Sequence, residues 1–520
     1  MMIIIENKFK KSTEIYNNSD GFIDLDNFQI STEPIKFINK SIACKHCVFP
    51  YKENESELFV AMENPLDSAA LNDLRFITQK NIVPFKASKD QILYYIKLFY
   101  EMKDSKKAIR EMEKDIEVKS LNNNIDDSEV NDSPSVRLID SIITQAIARK
   151  ASDIHIEPFK NYLYIRIRVD GRLQELMKLP KAAYKSINIR IKVMAKMNIT
   201  LRMIPQDGKI DYIKDESGYD FRVSSIPTIY GEKFVIRVLY KTIKNISLDE
   251  LAHSSANIIR DIISKPNGII LLCGPTGSGK SSTVYSILKE LNKEEKNIVT
   301  IEDPVEFTID NINQINVNKT AGLTFPSGLR SLLRQDPDII SVGEIRDEET
   351  AKVAVRAAIT GHLVISTLHT KDAPGTVLRL MDMGVQHYLL ADALIAVIAQ
   401  RLVRKICPHC KEKYMPDAVE REICNLKEKQ YLFKGKGCPK CNNTGYLGRI
   451  AIFEIMKIDN EMKKFIYEGV STEKLREYSV RIGMKTLRQN CVALIKDGIT
   501  TIHEYRNTIY SNEEYSDEVI

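Results

Sequence analysis

The stretch LLCGPTGSGKSST, residues 271–283, decides the fold of this 520-residue chain. It satisfies the pattern G-x-x-x-x-G-K-[ST], and it stands between an apolar run and a helix-forming segment. Its glycines let the backbone curl so that successive N–H groups point at phosphate oxygens, and the start of the following helix adds partial positive charge. A glycine-rich turn without a ligand is the alternative, but strand, loop, lysine and helix together favour a nucleoside triphosphate site.

Within this loop, Lys280 is predicted to reach the β- and γ-phosphates and the Ser281 hydroxyl to bind Mg²⁺. The residues predicted to hold the nucleotide are Gly274, Pro275, Thr276, Gly277, Ser278, Gly279, Lys280, Ser281 and Ser282.

Strands of four to six apolar residues alternate with helix-forming segments from about residue 241 onward, which predicts an α/β domain with a parallel sheet. The predicted strands are GIILLC (268–273), IVTI (298–301), IISV (339–342) and LVIST (363–367). Ligands of such sheets lie beyond the carboxyl ends of the strands. Residues at these strand ends are therefore expected to converge on one γ-phosphate, although acids there are often merely solvated and a single histidine is often structural. The candidates at strand ends are Glu302, Glu344, His362 and His369.

The remainder of the chain divides by composition. Residues 1–100 are predicted to form a small mixed α/β domain, and residues 101–135 a charged helix followed by a flexible linker rich in Asp and Asn. Residues 136–240 combine helical spacing, with Ser135 as the N-cap, and alternating strands around Asp170-Gly171, which predicts an α+β domain. The α/β domain occupies residues 241–520.

Two C-x2-C pairs predict a structural zinc site within residues 400–450. Four thiolates supply the closed tetrahedral shell that structural Zn²⁺ prefers, whereas unliganded reduced thiols are the alternative. The predicted ligands are Cys407, Cys410, Cys438 and Cys441.

The bulk composition excludes some classes of protein. An apolar share of 43% is ordinary for a globular protein, and no apolar run approaches the roughly 20 residues that span a bilayer. The chain is therefore expected to be cytosolic. A net charge of +5 supports neither strong nucleic-acid nor strong membrane attraction.

In the order and spacing of its motifs, the chain resembles the secretion ATPase superfamily, the hexameric motors of type II secretion and type IV pilus assembly. The similarity runs from about residue 20 to residue 505. Its motifs are ASDIHIEP (151–158), PQDGKI (205–210), the phosphate loop, TIEDPVE (300–306), LRSLLRQDPDIISVGEIRDEETA (329–351), GHLVISTLHT (361–370) and GRIAIFEI (448–455).

The resemblance implies a fold and a set of roles. Residues 136–240 correspond to a PAS-like N2 domain, residues 241–520 to a RecA-like motor domain, and the N-terminal domain to a unit that docks onto membrane-associated assembly proteins. TIEDPVE matches the Asp box, VGEIRD the atypical Walker B motif and GHLVISTLHT the His box. In such motors the nucleotide lies between the two domains, and arginines reach its phosphates. The matching positions are Arg222, Arg237, Arg330, Arg334 and Arg346.

The implied activity is ATP hydrolysis by a homo-hexamer that uses ATP, Mg²⁺ and Zn²⁺ and drives type IV pilus assembly through an inner-membrane platform protein. Glu302 or Glu344 would polarise the attacking water, and we favour Glu302; His369 would sense the γ-phosphate. Type II secretion is the nearest alternative. Two others are a nucleic-acid-handling P-loop ATPase, which the near-neutral charge disfavours, and a scaffold that binds nucleotide without hydrolysing it.

Overall fold

The computed structural model of the chain describes residues 22–25, 30, 33–97, 99–100, 134–214, 217–240, 247–427 and 430–509. The chain divides into two compact units, one of Met1–Tyr240 with Cys438–Lys440 and one of Lys241–Gly437 with Cys441–Ile520. Of the predicted charged helix and linker over residues 101–135, residues 101–133 lie outside the described residues, and the last two belong to a helix rather than to a linker. Across the described ranges, no helix combines the length and the apolar character that crossing a membrane requires.

The first unit begins with a three-stranded sheet in the order β1-β2-β3. Strands β1 and β2 are antiparallel, and β3 joins β2 in parallel after the crossover helix α2. A single isolated bridge between Phe22 and Lys86 lies beside this sheet. The elements of this domain are β1 (Val48–Glu53), β2 (Glu57–Met62), β3 (Asn81–Lys86), α1 (Lys40–Lys45) and α2 (Ser68–Thr78).

The second domain of this unit is an antiparallel six-stranded sheet in the order β6-β5-β4-β9-β8-β7. Alternate residues of its strands pack an apolar face against two helices. The Asp170-Gly171 hairpin is present, and both of its residues have positive φ, 48° and 83°. Helix α3 begins at Pro134, so Ser135 lies inside the helix rather than at its N-cap. The elements are α3 (Pro134–Ala148), β4 (Asp153–Pro158), β5 (Tyr162–Val169), β6 (Arg172–Pro180), α4 (Tyr184–Met194), β7 (Gln206–Lys214), β8 (Ser217–Thr228) and β9 (Gly231–Tyr240).

The second unit is built on a seven-stranded sheet in the order β12-β11-β13-β14-β10-β15-β18, and a small hairpin, β16-β17, stands apart from it. The strands are β10 (Gly268–Cys273), β11 (Ile298–Glu302), β12 (Asn313–Asn316), β13 (Ile339–Val342), β14 (Leu363–Leu368), β15 (Leu394–Ile406), β16 (Lys411–Tyr414), β17 (Leu432–Gly435) and β18 (Tyr446–Lys457). The helices are α5 (Leu248–Ala252), α6 (Ala256–Ile263), α7 (Lys280–Leu291), α8 (Phe325–Leu332), α9 (Glu348–Ile359), α10 (Ala373–Asp382), α11 (His387–Ala393), α12 (Ala418–Ile423), α13 (Asn460–Glu468), α14 (Thr472–Arg481), α15 (Leu487–Lys496) and α16 (Ile502–Thr508).

Helices cover both faces of this sheet. Along β10, Ile269 and Leu271 belong to one apolar cluster, and Ile270 and Leu272 belong to another, as a strand buried on both faces requires. The α/β fold class is confirmed, and the four predicted strands are β10, β11, β13 and β14. The sheet is not purely parallel, however, because β18 pairs antiparallel with β15 at one edge.

Candidate active site

The phosphate loop joins the end of β10 to the start of α7. Gly274, Gly277 and Gly279 have φ values of 151°, 79° and 89°, a region that glycine adopts without strain. A Cβ on Gly274 would stand 2.5 Å from the Gln400 carbonyl oxygen and 2.7 Å from the Ser278 Oγ. The loop therefore needs glycine at this position both for its backbone conformation and for its close contact with β15.

The loop has polar groups suited to an anion. Lys280 is only 8% exposed, and its Nζ donates to the carbonyl oxygens of Gly274 at 2.8 Å and Pro275 at 3.1 Å. Burial lowers the pKa of Lys280, while the carboxylate of Glu344 acts in the opposite direction. The Ser278 Oγ is buried and has no hydrogen-bond partner among the described residues. A phosphate oxygen would satisfy both groups, so these residues fit a nucleotide with its Mg²⁺, and the exposed Ser281 begins the first turn of α7 beside them.

Beyond the ends of β13 and β14, one carboxylate lies between an arginine and a histidine. Glu344 accepts from Arg346, and its Oε2 lies 3.4 Å from the His369 Nε2. The Glu344 side chain is 15% exposed and that of His369 is 48% exposed, so the cluster faces solvent on the His369 side. The salt bridge to Glu344 raises the pKa of Arg346. A Cβ on Gly343 would stand 3.3 Å from the Ile301 carbonyl oxygen, so an acid before Glu344 would crowd β11.

Glu302 lies at the end of β11, the strand beside β13, but its carboxylate is enclosed. Its Oε2 accepts from the Tyr285 hydroxyl, and its Oε1 accepts from Thr300 Oγ1 at 2.6 Å and Gln314 Nε2 at 3.2 Å. Strand β11 lies three strand spacings, about 14 Å, from β10, which leads into the phosphate loop. Strand β13, which precedes Glu344, lies only two spacings from β10. The carboxylate of Glu344 is close enough to Lys280 to act on the pKa of that lysine. The carboxylate of Glu302 is instead bound by side chains of α7, β11 and β12.

The structure does not bring His362 to this edge. His362 precedes β14, and its carbonyl oxygen accepts from the Gly268 N–H at the start of β10. Its Nδ1 lies 2.9 Å from the Ala357 carbonyl oxygen. Because β10 and β14 are parallel, His362 lies at the amino edge of the sheet, about 20 Å from the phosphate loop across six residues of strand. The expectation that His362 converges with His369 on one γ-phosphate is therefore wrong within a single chain, and the contact of His369 with a phosphate stays a prediction.

The remaining predicted arginines lie in two places. Arg330 on α8 forms a salt bridge with Glu349, and the exposed Arg334 donates to the Arg330 carbonyl oxygen at 3.0 Å. In the first unit, Arg222 on β8 and Arg237 on β9 are cross-strand neighbours, and the Arg237 Nε donates to Asp153 Oδ1 at 3.1 Å. Their predicted contact with phosphates remains a prediction.

The four predicted cysteines come together. Their sulfur atoms all lie within 4.8 Å of one another, and those of Cys410 and Cys441 are 3.9 Å apart. A tetrahedral ion with Zn–S bonds of about 2.3 Å requires sulfur separations of about 3.8 Å. The backbone N–H of Gly445 also donates to the Cys441 Sγ at 3.2 Å, as expected for a thiolate ligand. The donor set therefore fits zinc, which would tie the ends of the β16-β17 hairpin together.

Sequence reasoning missed several residues that line or support the site. Tyr285 lies five residues after Lys280 and holds Glu302. Arg401 and Glu454 are buried charges on β15 and β18. Only Glu454, within the motif GRIAIFEI, carried a signal in the sequence, and no role was assigned to it.

Two family models match the chain. One, described as "Type II/IV secretion system protein", covers residues 128–507, and the other, described as "MshEN domain", covers residues 21–106.

Among curated proteins, the chain is 40% identical over 497 residues to the type IV pilus assembly ATPase PilB of Myxococcus xanthus, a match that covers 93% of this chain and 88% of the relative. It is 45% identical over 378 residues to the type II secretion system ATPase E of Vibrio cholerae, with 72% and 75% covered. Among solved structures, the pilus retraction motor PilT with bound ADP superimposes with a TM-score of 0.50 at 26% identity, with 73% of this chain and 97% of that one covered.

Proposed function

Because the chain belongs to the type II/IV secretion system protein family, an ATPase family, we propose that it is the motor that powers assembly of type IV pili. The observation that carries this proposal is the 40% identity to a pilus assembly ATPase over 93% of the chain. The geometry supports it, since the phosphate loop, Glu344 and His369 share one edge of a parallel sheet.

We assign the following roles in hydrolysis. The backbone N–H groups of the phosphate loop and Lys280 bind the phosphates, and Ser281 with the phosphates holds Mg²⁺, which neutralises charge on them. Glu344, which is close to Lys280 and contacts Arg346 and His369, orients the attacking water in place of Glu302, whose oxygens are already engaged. His369 senses the γ-phosphate. Arg346 and, by resemblance, Arg222, Arg237, Arg330 and Arg334 stabilise its developing charge.

The working form is proposed to be a homo-hexamer at the inner face of the cell membrane, bound to a platform protein through its N-terminal domain. The match of residues 21–106 to a separate domain model supports a distinct N-terminal module. A structural Zn²⁺ held by Cys407, Cys410, Cys438 and Cys441 stiffens the β16-β17 hairpin.

A second candidate function is that of the type II secretion ATPase. The 45% identity to such a protein over 72% of the chain favours it. The two functions share the same hydrolysis and differ in the filament that the motor assembles.

The test is Lys280→Ala with Lys293→Ala as the control, because Lys293 is exposed just beyond the same helix. Lys280→Ala is expected to abolish ATP hydrolysis, and Lys293→Ala to leave it unchanged. In the native host, loss of surface pili in Lys280→Ala supports pilus assembly, whereas intact pili with failed protein export supports secretion. Near-normal ATP turnover by Lys280→Ala would contradict both.

A further inference from the structure

Arg401 is a buried cation beside the phosphate loop, and it has no role in the proposed steps of nucleotide binding and hydrolysis. It lies on β15 and is 4% exposed. Its Nη1 donates to the Gln400 carbonyl oxygen at 3.0 Å, and its Nη2 donates to the Lys371 carbonyl oxygen. A Cβ on Gly274 would stand 3.1 Å from the Nη1, so the guanidinium lies against the first residue of the phosphate loop. Desolvating a guanidinium is costly, and such a group is usually retained for a specific contact.

Lys371, whose carbonyl oxygen accepts from Arg401, belongs to the segment 369–372. We call this segment the sensor loop because it begins with His369. The sensor loop is also joined to the end of β10, since the Cys273 Sγ donates to the Asp372 carbonyl oxygen at 3.3 Å. Cys273 therefore joins the sensor loop to β10, the strand that leads into the phosphate loop, and Arg401 joins it to the neighbouring strand β15.

The far side of the sensor loop is bound to the C-terminal helices. The Asp372 Oδ1 caps α10 by accepting from the Gly375 N–H at 2.7 Å, and its Oδ2 accepts from Arg476 on α14 at 2.6 Å. The buried Glu454 accepts from the N–H groups of Ala373 at 3.0 Å and Leu487 at 3.3 Å, the first residues of α10 and α15. The sensor loop is thus tied to β10 and β15 on one side and to α10 and α14 on the other.

We propose that Arg401 is a positioning residue for hydrolysis: its Nη2 hydrogen bond to Lys371 fixes the sensor loop to β15, beside the phosphate loop, so that His369 and Glu344 meet the γ-phosphate that Lys280 binds. This inference rests on the proposed ATPase function and adds a residue to it. The Nη1 bond to the carbonyl oxygen of the neighbouring residue, Gln400, orients the guanidinium so that its second donor reaches Lys371, whereas a lysine at this position has a single nitrogen for both contacts.

The experiment compares Arg401→Lys and Arg401→Met with Arg404→Met in the full chain. Arg404 is the matched control because it is a part-buried arginine of the same strand whose partner is Glu504, at 2.6 Å. Affinities for MgADP and for a magnesium complex of a non-hydrolysable ATP analogue are measured by calorimetry, and kcat and KM by phosphate release. Both Arg401 variants are expected to lose about 10- to 100-fold in kcat and to bind the analogue more weakly, with MgADP affinity unchanged. Arg404→Met is expected to lower only the melting temperature.

A double variant with His369→Ala tests the route of the effect. If Arg401 acts through the sensor loop, adding Arg401→Lys to His369→Ala costs little further activity, because both changes remove the same interaction. Independent, multiplicative losses would overturn the proposal, as would equal weakening of analogue and MgADP binding or kcat within twofold of wild type. The ratio of the affinities for the ATP analogue and for MgADP is measured without hydrolysis. It therefore tests the role of Arg401 even if the Lys280→Ala experiment shows that the chain does not hydrolyse ATP.

Discussion

Glu302 ends β11 and Glu344 follows the neighbouring strand β13, yet their carboxylates have different surroundings. Glu302 accepts hydrogen bonds from Tyr285, Thr300 and Gln314, so three donors already occupy the oxygens that would orient a water. Glu344 is bound by Arg346 and His369, whose partly exposed side chains a γ-phosphate could draw away.

We therefore predict that Glu344→Gln lowers kcat by at least about 100-fold with nucleotide binding retained, because it removes the carboxylate that orients water. Glu302→Gln is expected to lower the free energy of unfolding by about 1–3 kcal/mol and to reduce kcat much less, because it disturbs a buried hydrogen-bond network. Steady-state kinetics and urea unfolding of the two variants, which carry the same chemical change, measure both quantities. A larger loss of kcat in Glu302→Gln would return the water-orienting role to Glu302.

Which acid acts could not be read from the sequence, because the answer depends on contacts between distant segments. Tyr285 and Gln314 lie 17 and 12 residues from Glu302, and nothing in the motif TIEDPVE indicates that they enclose it. The placement of His362 was accessible in principle. It precedes its strand, and strand direction alone puts it at the amino edge of a parallel sheet.

At the scale of elements, the short apolar strands β10, β11, β13 and β14 were predictable from the sequence, whereas β15 and β18 were not. Strand β15 follows α11 without a break, and its sequence LIAVIAQRLVRKI mixes five β-branched residues with two alanines, two leucines and four polar or charged residues, so composition does not separate strand from helix. It becomes a strand because β10 on one side and β18 on the other supply its hydrogen bonds. Tertiary pairing decides the conformation here, and it also places Arg401 beside the phosphate loop.

The zinc subdomain provides a prediction at this scale. Cys407→Ser is expected to reduce bound zinc from one ion per chain to near zero and to lower the melting temperature, since the β16-β17 hairpin loses the ion that ties its ends. Cys424→Ser is the matched control, because Cys424 is a buried thiol of the same segment outside the group of four. Metal analysis and thermal unfolding measure the two effects. Native protein purified without chelators that contains no zinc would contradict this prediction.

At the scale of the whole molecule, a motor does work only if hydrolysis in one subunit changes its neighbours. The proposed hexamer places identical interfaces around a ring, and closure at one site then shifts the equilibrium at the next. Within the chain, the sensor loop has the contacts for such a transfer, since it is bonded to Cys273 at the end of β10, leads directly into α10 and reaches α14 through Arg476.

This coupling predicts the outcome of mixing active and inactive subunits. Wild-type chain and Lys280→Ala are combined in equal amounts under conditions that allow exchange, and the total rate of ATP hydrolysis at a fixed total concentration of subunits is measured. In coupled rings each inactive subunit also stalls its neighbours, so activity is expected to fall well below half of the all-wild-type value. Mixing with Lys293→Ala, which keeps the phosphate loop intact, is expected to preserve full activity and serves as the control. A strictly linear dependence on the wild-type fraction, with native mass spectrometry showing mixed rings, would mean that the subunits hydrolyse ATP independently and would contradict a ring motor.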